Sequence, residues 1–492
     1  MTVSIVGAGI AGMSAGIYAL QSGFEVTIYE SHSAPGGAST GWRRKGYFFE
    51  GGMHWLTGSS PGTSLYKLWR SIGALDEDTP VYNRDPFCVV DYQGRQALLY
   101  RDAEKLRRHL VDLAPEDRRE IDRLAADIRI FGALDIPIGD LAGLRVKEKA
   151  KVPLVTLLKM ARVLPRLPFW AYRTIGDYAE RFKNPLLRQM MGNIMRGESG
   201  ALGMVFTLGT LAAGDGGFPR GGALAMARRM ADKFEALGGV IQFDSPVDKV
   251  TVREGKAAGL RVRGAEIAAD AVMVTQDTLA ALDTLFDEPI REPWAEKMRR
   301  DTKPMICTFI SLGLETDLSG QPGRVVFTSD IHLTCGGLEK TTLDINNYAG
   351  YEGYAPQGCT AVTSILAGDT YDFWKRRREA GTYREEKQRL AENFIEALGK
   401  KWPQIRDKIA VWDVATPLTY ERYLHSYRGS FMSIMGKGPL RTYPVKAAGI
   451  RNLYFAGQRL RPPGGFPMAA LSGRKAAQQL CLDTDTVFQG KS

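Results

Sequence analysis

The chain has 492 residues, more than one hydrophobic core ordinarily serves, so two or three domains are expected. Hydrophobic content of 44% and charged content of 24% exclude a disordered chain, and no apolar run reaches the ~18 residues of a membrane-spanning helix. The net charge of +10 is compatible with nucleic acid, an anionic membrane surface or solubility alone, and the placement of the charge decides between them.

The chain opens on Val3-Ser4-Ile5-Val6, a run suited to one buried parallel strand. Gly7-Ala8-Gly9-Ile10-Ala11-Gly12 follows at once, then a helical stretch through Leu20 that stops at Gly23. This apolar start lacks the basic leader of a signal peptide and is spaced by glycines, so a strand and helix explain it better. Phe24 to Tyr29 reads as a second strand ending on Glu30. Together these make a dinucleotide-binding βαβ unit. Gly7 permits the tight turn, Gly9 lets a pyrophosphate approach the backbone, and Gly12 lets helix and strand pack closely. The phosphates would meet free N–H groups at the helix N-terminus. Glu30 can accept both ribose hydroxyls and would repel a 2′-phosphate. No second fingerprint has this context, so electrons must pass to or from an external donor or acceptor.

The cysteines (Cys88, Cys307, Cys335, Cys359, Cys481) are scattered, which points to free thiols in a reducing, cytoplasmic setting. The five histidines form no ligand cluster, and no metal site is expected.

Further segments carry a family likeness. Pro35-Gly36-Gly37-Ala38-Ser39-Thr40-Gly41 and Gly46 to Gly52 resemble the second glycine pair and hairpin of the amine oxidase and phytoene desaturase superfamily. Gly216 to Gly222 with the helix after it, the strand-like runs from Gly238 to Val250 with Val247, and the strand Asp270 to Thr275 match in the same order. Near the C-terminus, Asn452 to Gln458, Pro463-Gly464-Gly465-Phe466-Pro467-Met468 and Leu471 to Arg474 resemble the strand, loop and helix that close on a flavin. The resemblance implies an α/β fold with FAD as cofactor. A discontinuous Rossmann-type FAD-binding domain would comprise 1–85, 214–281 and 418–492. An inserted α+β substrate domain with a helical lid would comprise 86–213 and 282–417. It also implies FAD contacts from Gly7, Gly9, Ile10, Ala11, Gly12, Glu30, Gly36, Gly37, Ala38, Ser39, Gly52, Met53, His54, Val247, Gly457, Gln458, Gly465, Phe466 and Met468.

Three details resemble the carotenoid isomerase and retinol saturase branch rather than amine oxidases. Ala38 stands where amine oxidases usually carry arginine, Gln458 replaces a common acid, and Gly52-Met53-His54-Trp55 is similar to the saturase segment beside the flavin. The activity implied is hydride exchange between the flavin and a long apolar polyene: desaturation, saturation or reduced-flavin cis–trans isomerisation. An apolar substrate offers few polar handles, so no catalytic triad is expected. His54, Tyr423 and His425 are the candidate catalytic residues, with His54 and Trp55 against the flavin or the polyene. A flavin amine oxidase and a non-catalytic binding protein similar to the GDP-dissociation inhibitors are the rival readings.

In the first insertion a hairpin turning at Gln93-Gly94 precedes mostly helical sequence, and the second contains strand-like runs at Thr308 to Leu312 and Arg324 to Phe327. Residues 145–173 hold Arg145, Lys147, Lys149, Lys151, Lys159, Arg162, Arg166 and Arg173 against the single acid Glu148, interleaved with leucines, Phe169 and Trp170 that supply apolar and interfacial surface. Pro153, Pro165 and Pro168 preclude one continuous helix. Such a segment fits peripheral attachment to an anionic bilayer, from which a lipid-dissolved substrate would enter. No nucleic-acid-binding module accompanies the charge.

Overall fold

The structure, a computed structural model, describes residues 1–135, 138–146 and 154–490. Five parallel strands form one sheet in the order Leu453–Phe455, Ala271–Val274, Thr2–Val6, Glu25–Tyr29, Val240–Gln242. Period-two alternation sorts their side chains between two apolar faces. Val3, Ile5, Ala271, Met273 and Tyr454 join the core built with helices Ile10–Gln21, Gly222–Ala236 and Phe466–Asp483. Val6, Val272, Val274, Leu453 and Phe455 face the opposite core, which an antiparallel sheet of Val247–Arg253, Lys256–Val262 and Ala265–Ala268 helps to close.

The largest sheet has seven strands in the order Ile409–Ala415, Cys307–Leu314, Thr360–Ala367, Leu338–Asn347, Arg324–Cys335, Cys88–Tyr92, Arg95–Leu99. All neighbours are antiparallel except Arg324–Cys335 with Cys88–Tyr92. The Cys88–Leu99 hairpin turns at Gln93 and Gly94, both at positive φ, which suits a two-residue turn between twisted strands. Ile310, Leu312, Leu343, Ile345 and Val362 pack against Leu390, Phe394 and Leu398 of the helix Tyr383–Lys401. The other face of the sheet is left to floor a cavity. A separate helical core, containing Leu124, Phe131, Trp170, Met190 and Val205, packs against Cys88 and Val90.

The structure corrects part of the reading of 145–173. Trp170 is not surface: it is fully buried and its indole N–H donates to Asp127 Oδ2 at 2.9 Å. Arg166 is also held by Asp127, at 2.6 Å, and Phe169 is partly buried beneath the guanidinium groups of Arg123 and Arg173. Lys147, Glu148, Lys149, Lys151 and Pro153 lie outside the described residues. In the helix Leu154–Val163, Leu157 and Leu158 are exposed, at 51% and 60%, beside Lys159 and Arg162. No helix among the described residues is long and apolar enough to cross a membrane.

Candidate functional site

A cavity of about 900 Å³ runs from the carboxyl ends of the parallel strands to the free face of the seven-stranded sheet. Strand ends at a parallel sheet are where such folds bind ligands. Val6 and Gly7, Tyr29 and Glu30, Thr275 and Gln276, and Gly457 all reach it from successive strands.

The dinucleotide end is built from backbone. The helix Ile10–Gln21 has Gly9 as its N-cap, no side chain capping it and no acid in its first turn. Its leading N–H groups are therefore available to an anion at the positive end of the helix. Gly12 is required by packing, because a Cβ there would lie 2.1 Å from Gly7 O. Glu30 is buried. Its Oε2 accepts the Ala8 N–H at 2.7 Å, and its Oε1 accepts the His32 N–H at 2.9 Å. Oε1 also accepts the Ser31 hydroxyl at 3.3 Å, so Oε2 is the oxygen that keeps a lone pair for a ribose hydroxyl. Gly36 donates its N–H to Ala8 O, and the Ser39 hydroxyl donates to Ala223 O, so the second glycine loop lies against the first.

A second uncapped helix N-terminus reaches the same cavity. The helix Phe466–Asp483 begins after Gly465, whose φ of 88° suits glycine. Gln458 braces this start: its Oε1 accepts the Gly465 N–H at 2.9 Å while its Nε2 donates to Phe431 O. Beneath it, Arg459 and Asp277 form a buried ion pair in which Nε and Nη2 both donate to Asp277 Oδ2, at 3.0 and 2.6 Å. Asp277 also caps the helix Thr278–Thr284, and Arg459 gives its remaining N–H groups to Met432 O, Ser433 and Ser430. Two unpaired helix starts, a buried ribose-type acid and an elongated cavity fit a flavin adenine dinucleotide.

Three of the expected contacts do not reach the cavity. Gly12 is covered by Gly7 and Thr275, the Met53 side chain is buried in the core, and Met468 packs partly buried against that core. Gly7, Gly9, Ile10, Ala11, Glu30, Gly36, Gly37, Ala38, Ser39, Gly52, His54, Val247, Gly457, Gln458, Gly465 and Phe466 all line it.

The three candidate catalytic residues also line the cavity, in different settings. Tyr423 packs edge-on to His32, two residues beyond Glu30, at 5.3 Å between ring centroids. His425 caps the helix Pro417–Leu424 at φ 46°, and its carbonyl accepts from Gln276. Both therefore belong to the dinucleotide end rather than to the apolar floor. His54 sits against the large sheet. Arg84 Nη1 can only donate, so it fixes Asn346 Oδ1 as acceptor at 3.3 Å, and the Asn346 amide N–H then donates to His54 Nδ1 at 3.3 Å. His54 thus carries its proton on Nε2. Burial, with the Arg324 and Arg84 cations against the opposing pull of Asp344, brings its pKa down to about 4. It is a neutral wall group and no proton acceptor near neutral pH.

The sequence reading missed several residues. Cys307, Phe309, Ile365 and Ala367 floor the cavity, as do Lys340, Thr342, Asp344 and Arg324 farther across the same sheet. Glu50 was missed as well. It ends the strand Tyr47–Glu50 as Glu30 follows the strand Glu25–Tyr29, and that parallel was the available signal. Glu50 is buried and accepts from Gly52 N, Met53 N, Ala223 N and Tyr354 Oη. Burial raises its pKa to about 7 against those hydrogen bonds.

The family model for flavin-containing amine oxidoreductases matches residues 10–481. Over 498 residues the chain is 23% identical to a 4,4'-diapophytoene desaturase (4,4'-diapolycopene-forming) of Methylomonas sp, covering 97% of this chain and 94% of that one. It is also 23% identical to prolycopene isomerase 2 of an Oncidium hybrid cultivar, covering 97% and 83%. Among solved structures it is similar to cyclohexylamine oxidase from Brevibacterium oxydans, with a TM-score of 0.62, 16% identity, and coverage of 98% and 99%. At that identity the last likeness speaks for the fold alone. With the family model spanning nearly the whole chain, from the start of the first helix into the C-terminal helix, the chain belongs to the flavin-containing amine oxidoreductases, and its cofactor is FAD.

Proposed function

We propose that this protein is an FAD-dependent oxidoreductase acting on double bonds of a long, apolar polyene of the carotenoid or retinoid kind. The observation that carries this reading is the continuity of one cavity from the uncapped helix starts to an apolar floor of Phe309, Ile365, Cys307 and Ala367. Relatives named as a desaturase and an isomerase of such compounds support it. Bound there, FAD supplies a hydride acceptor or donor.

The chain's own residues do the rest. The N–H groups following Gly9 hold the diphosphate, Glu30 holds the ribose and the Val247 backbone holds the adenine. Gly36 to Ser39, Gly52 and the Gly457 to Phe466 segment enclose the flavin. Trp55, Phe309 and Phe431 align the chain and exclude water. The neutral His54 adds no competing base. In this reading 1–85, 214–281 and 418–492 form the FAD-binding domain, and 86–213 with 282–417 form the substrate domain. Electrons pass to or from an external partner. Leu157, Leu158, Lys159 and Arg162 rest on an anionic bilayer from which the substrate enters.

The test is an absorption spectrum of the purified protein, then anaerobic incubation of oxidised and dithionite-reduced samples with a panel of polyenes. Flavin absorbance with a product of altered conjugation is expected, and the active redox state gives the direction. Protein that takes up FAD yet turns over amines and no polyene would overturn the substrate assignment.

A further inference from the structure

The floor of the cavity is not uniform. Alternation along the strand Leu338–Asn347 puts Lys340, Thr342, Asp344 and Asn346 on one face, with Leu343 and Ile345 buried on the other. Asn346, at one end of this row, binds His54. Lys340 stands six residues away, about 20 Å along an extended strand. The neighbouring strands Thr360–Ala367 and Cys307–Leu314 carry the apolar residues. A substrate reaching from the flavin side therefore crosses apolar floor and meets a charged row.

The charges of that row are already committed, with one exception. Arg324 is bidentate to Asp344, at 3.0 and 2.7 Å, and also donates to Ile194 O. Arg196 is paired with Glu198 across the cavity wall. Lys340 is partly buried, lines the cavity and has no acidic partner among the described residues. Its neighbour Glu339 is paired with His332 on the same hairpin. Two neutralised ion pairs beside one uncompensated cation leave the charged end of the cavity net positive. A purely hydrocarbon end would desolvate Lys340 with nothing in return. A carboxylate would pair with it, and the Thr342 hydroxyl is one turn of the pleat away as a second donor.

We infer that the substrate is an amphipathic polyene, an apolar chain ending in a carboxylate, whose anionic end is held by Lys340 and Thr342 while the chain lies along Phe309 and Ile365. This rests on the polyene reading of the cavity and narrows it.

The experiment uses FAD-loaded protein and three probes of one skeleton: all-trans-retinoic acid, its methyl ester and the corresponding hydrocarbon. Binding is followed by quenching of tryptophan and flavin fluorescence, for the native chain and for Lys340→Met, which keeps length and apolar bulk. The native protein is expected to bind the acid about five- to tenfold more tightly than the ester. Lys340→Met is expected to abolish that preference and leave ester binding unchanged. Equal affinity for acid and ester, or a preference that survives Lys340→Met, overturns the carboxylate assignment while the polyene reading stands. Failure of all three probes to bind flavin-loaded protein overturns both.

Discussion

Glu50 allows a sharp test of how the cofactor loop is held. Its Oε1 accepts the N–H groups of Gly52 and Met53, both at 3.1 Å, and its Oε2 accepts Tyr354 Oη at 2.9 Å and Ala223 N at 3.3 Å. One carboxyl group thus ties the loop carrying Gly52 to the start of the helix Gly222–Ala236. Burial takes its pKa from 4.5 to about 7. The folded protein therefore binds this proton more tightly than the unfolded chain does, and the associated stability is present at low pH and lost as pH rises through about 7. At about 1.4 kcal/mol per pH unit, the loss amounts to about 3 kcal/mol. In Glu50→Gln this titration is gone. The amide keeps an acceptor for Gly52 and Met53, but its NH2 faces the Ala223 N–H, at a cost of about 1–3 kcal/mol. Urea unfolding of FAD-loaded protein, followed by flavin fluorescence at pH 5 and pH 8.5, compares the two chains. The variant should be the less stable at pH 5, and at pH 8.5 the difference should shift in its favour by about 2.5 kcal/mol, closing or reversing the gap. A gap that does not change with pH would refute the reasoning, because it would mean that Glu50 titrates alike in both states.

Gly12→Ala places a methyl 2.1 Å from Gly7 O, so the first glycine turn must move; the purified variant should retain less than about half of its flavin absorbance while keeping its far-ultraviolet dichroism. Asp277→Ala strands the buried Arg459 guanidinium and should cost about 3–5 kcal/mol in urea unfolding, whereas removing both charges in Asp277→Ala/Arg459→Met should cost less than the single change. Replacing the exposed Leu157 and Leu158 together by serine should weaken sedimentation with anionic phosphatidylserine vesicles by roughly 30-fold, equivalent to ~2 kcal/mol, with flavin content unchanged.

The dinucleotide half was legible because each of its requirements is local. Gly7, Gly9 and Gly12 act within one turn, and Glu30 is placed by the strand that precedes it. The Gln93-Gly94 hairpin and the strands at Thr308 and Arg324 were equally readable, since turn chemistry and alternation need no distant partner. Trp170 was misread because its fate is set by Asp127, on a helix far away in sequence. Which end of the cavity Tyr423 and His425 occupy was not legible for a related reason: the positive φ of His425 turns the chain back toward Gln276 and His32. The row from Lys340 to Asn346 has a visible alternation, but sequence does not say which of the two faces meets helix Tyr383–Lys401 and which meets a ligand.

The likeness in fold to an amine oxidase and the likeness in sequence to carotenoid enzymes are reconciled by the same alternation. The face of the large sheet that includes Ile310, Leu312, Leu343 and Ile345 is locked by the helix packed on it, so the backbone is held whatever the cavity contains. The opposite face is free to change residue by residue without disturbing that core. An amine substrate carries an ammonium group that needs an uncommitted acid or an electron-rich seat. Among the described cavity walls, Asp277 is paired with Arg459, Asp344 with Arg324 and Glu198 with Arg196. Glu30 accepts backbone N–H groups at the dinucleotide end, and Asp248 accepts from Gly264. The acids at the sheet end of the cavity, Asp344 and Glu198, are thus already paired, and the charge there without a partner among the described residues is Lys340, itself a cation. The electrostatics of the floor therefore oppose an amine and favour an apolar chain with, at most, an acidic end.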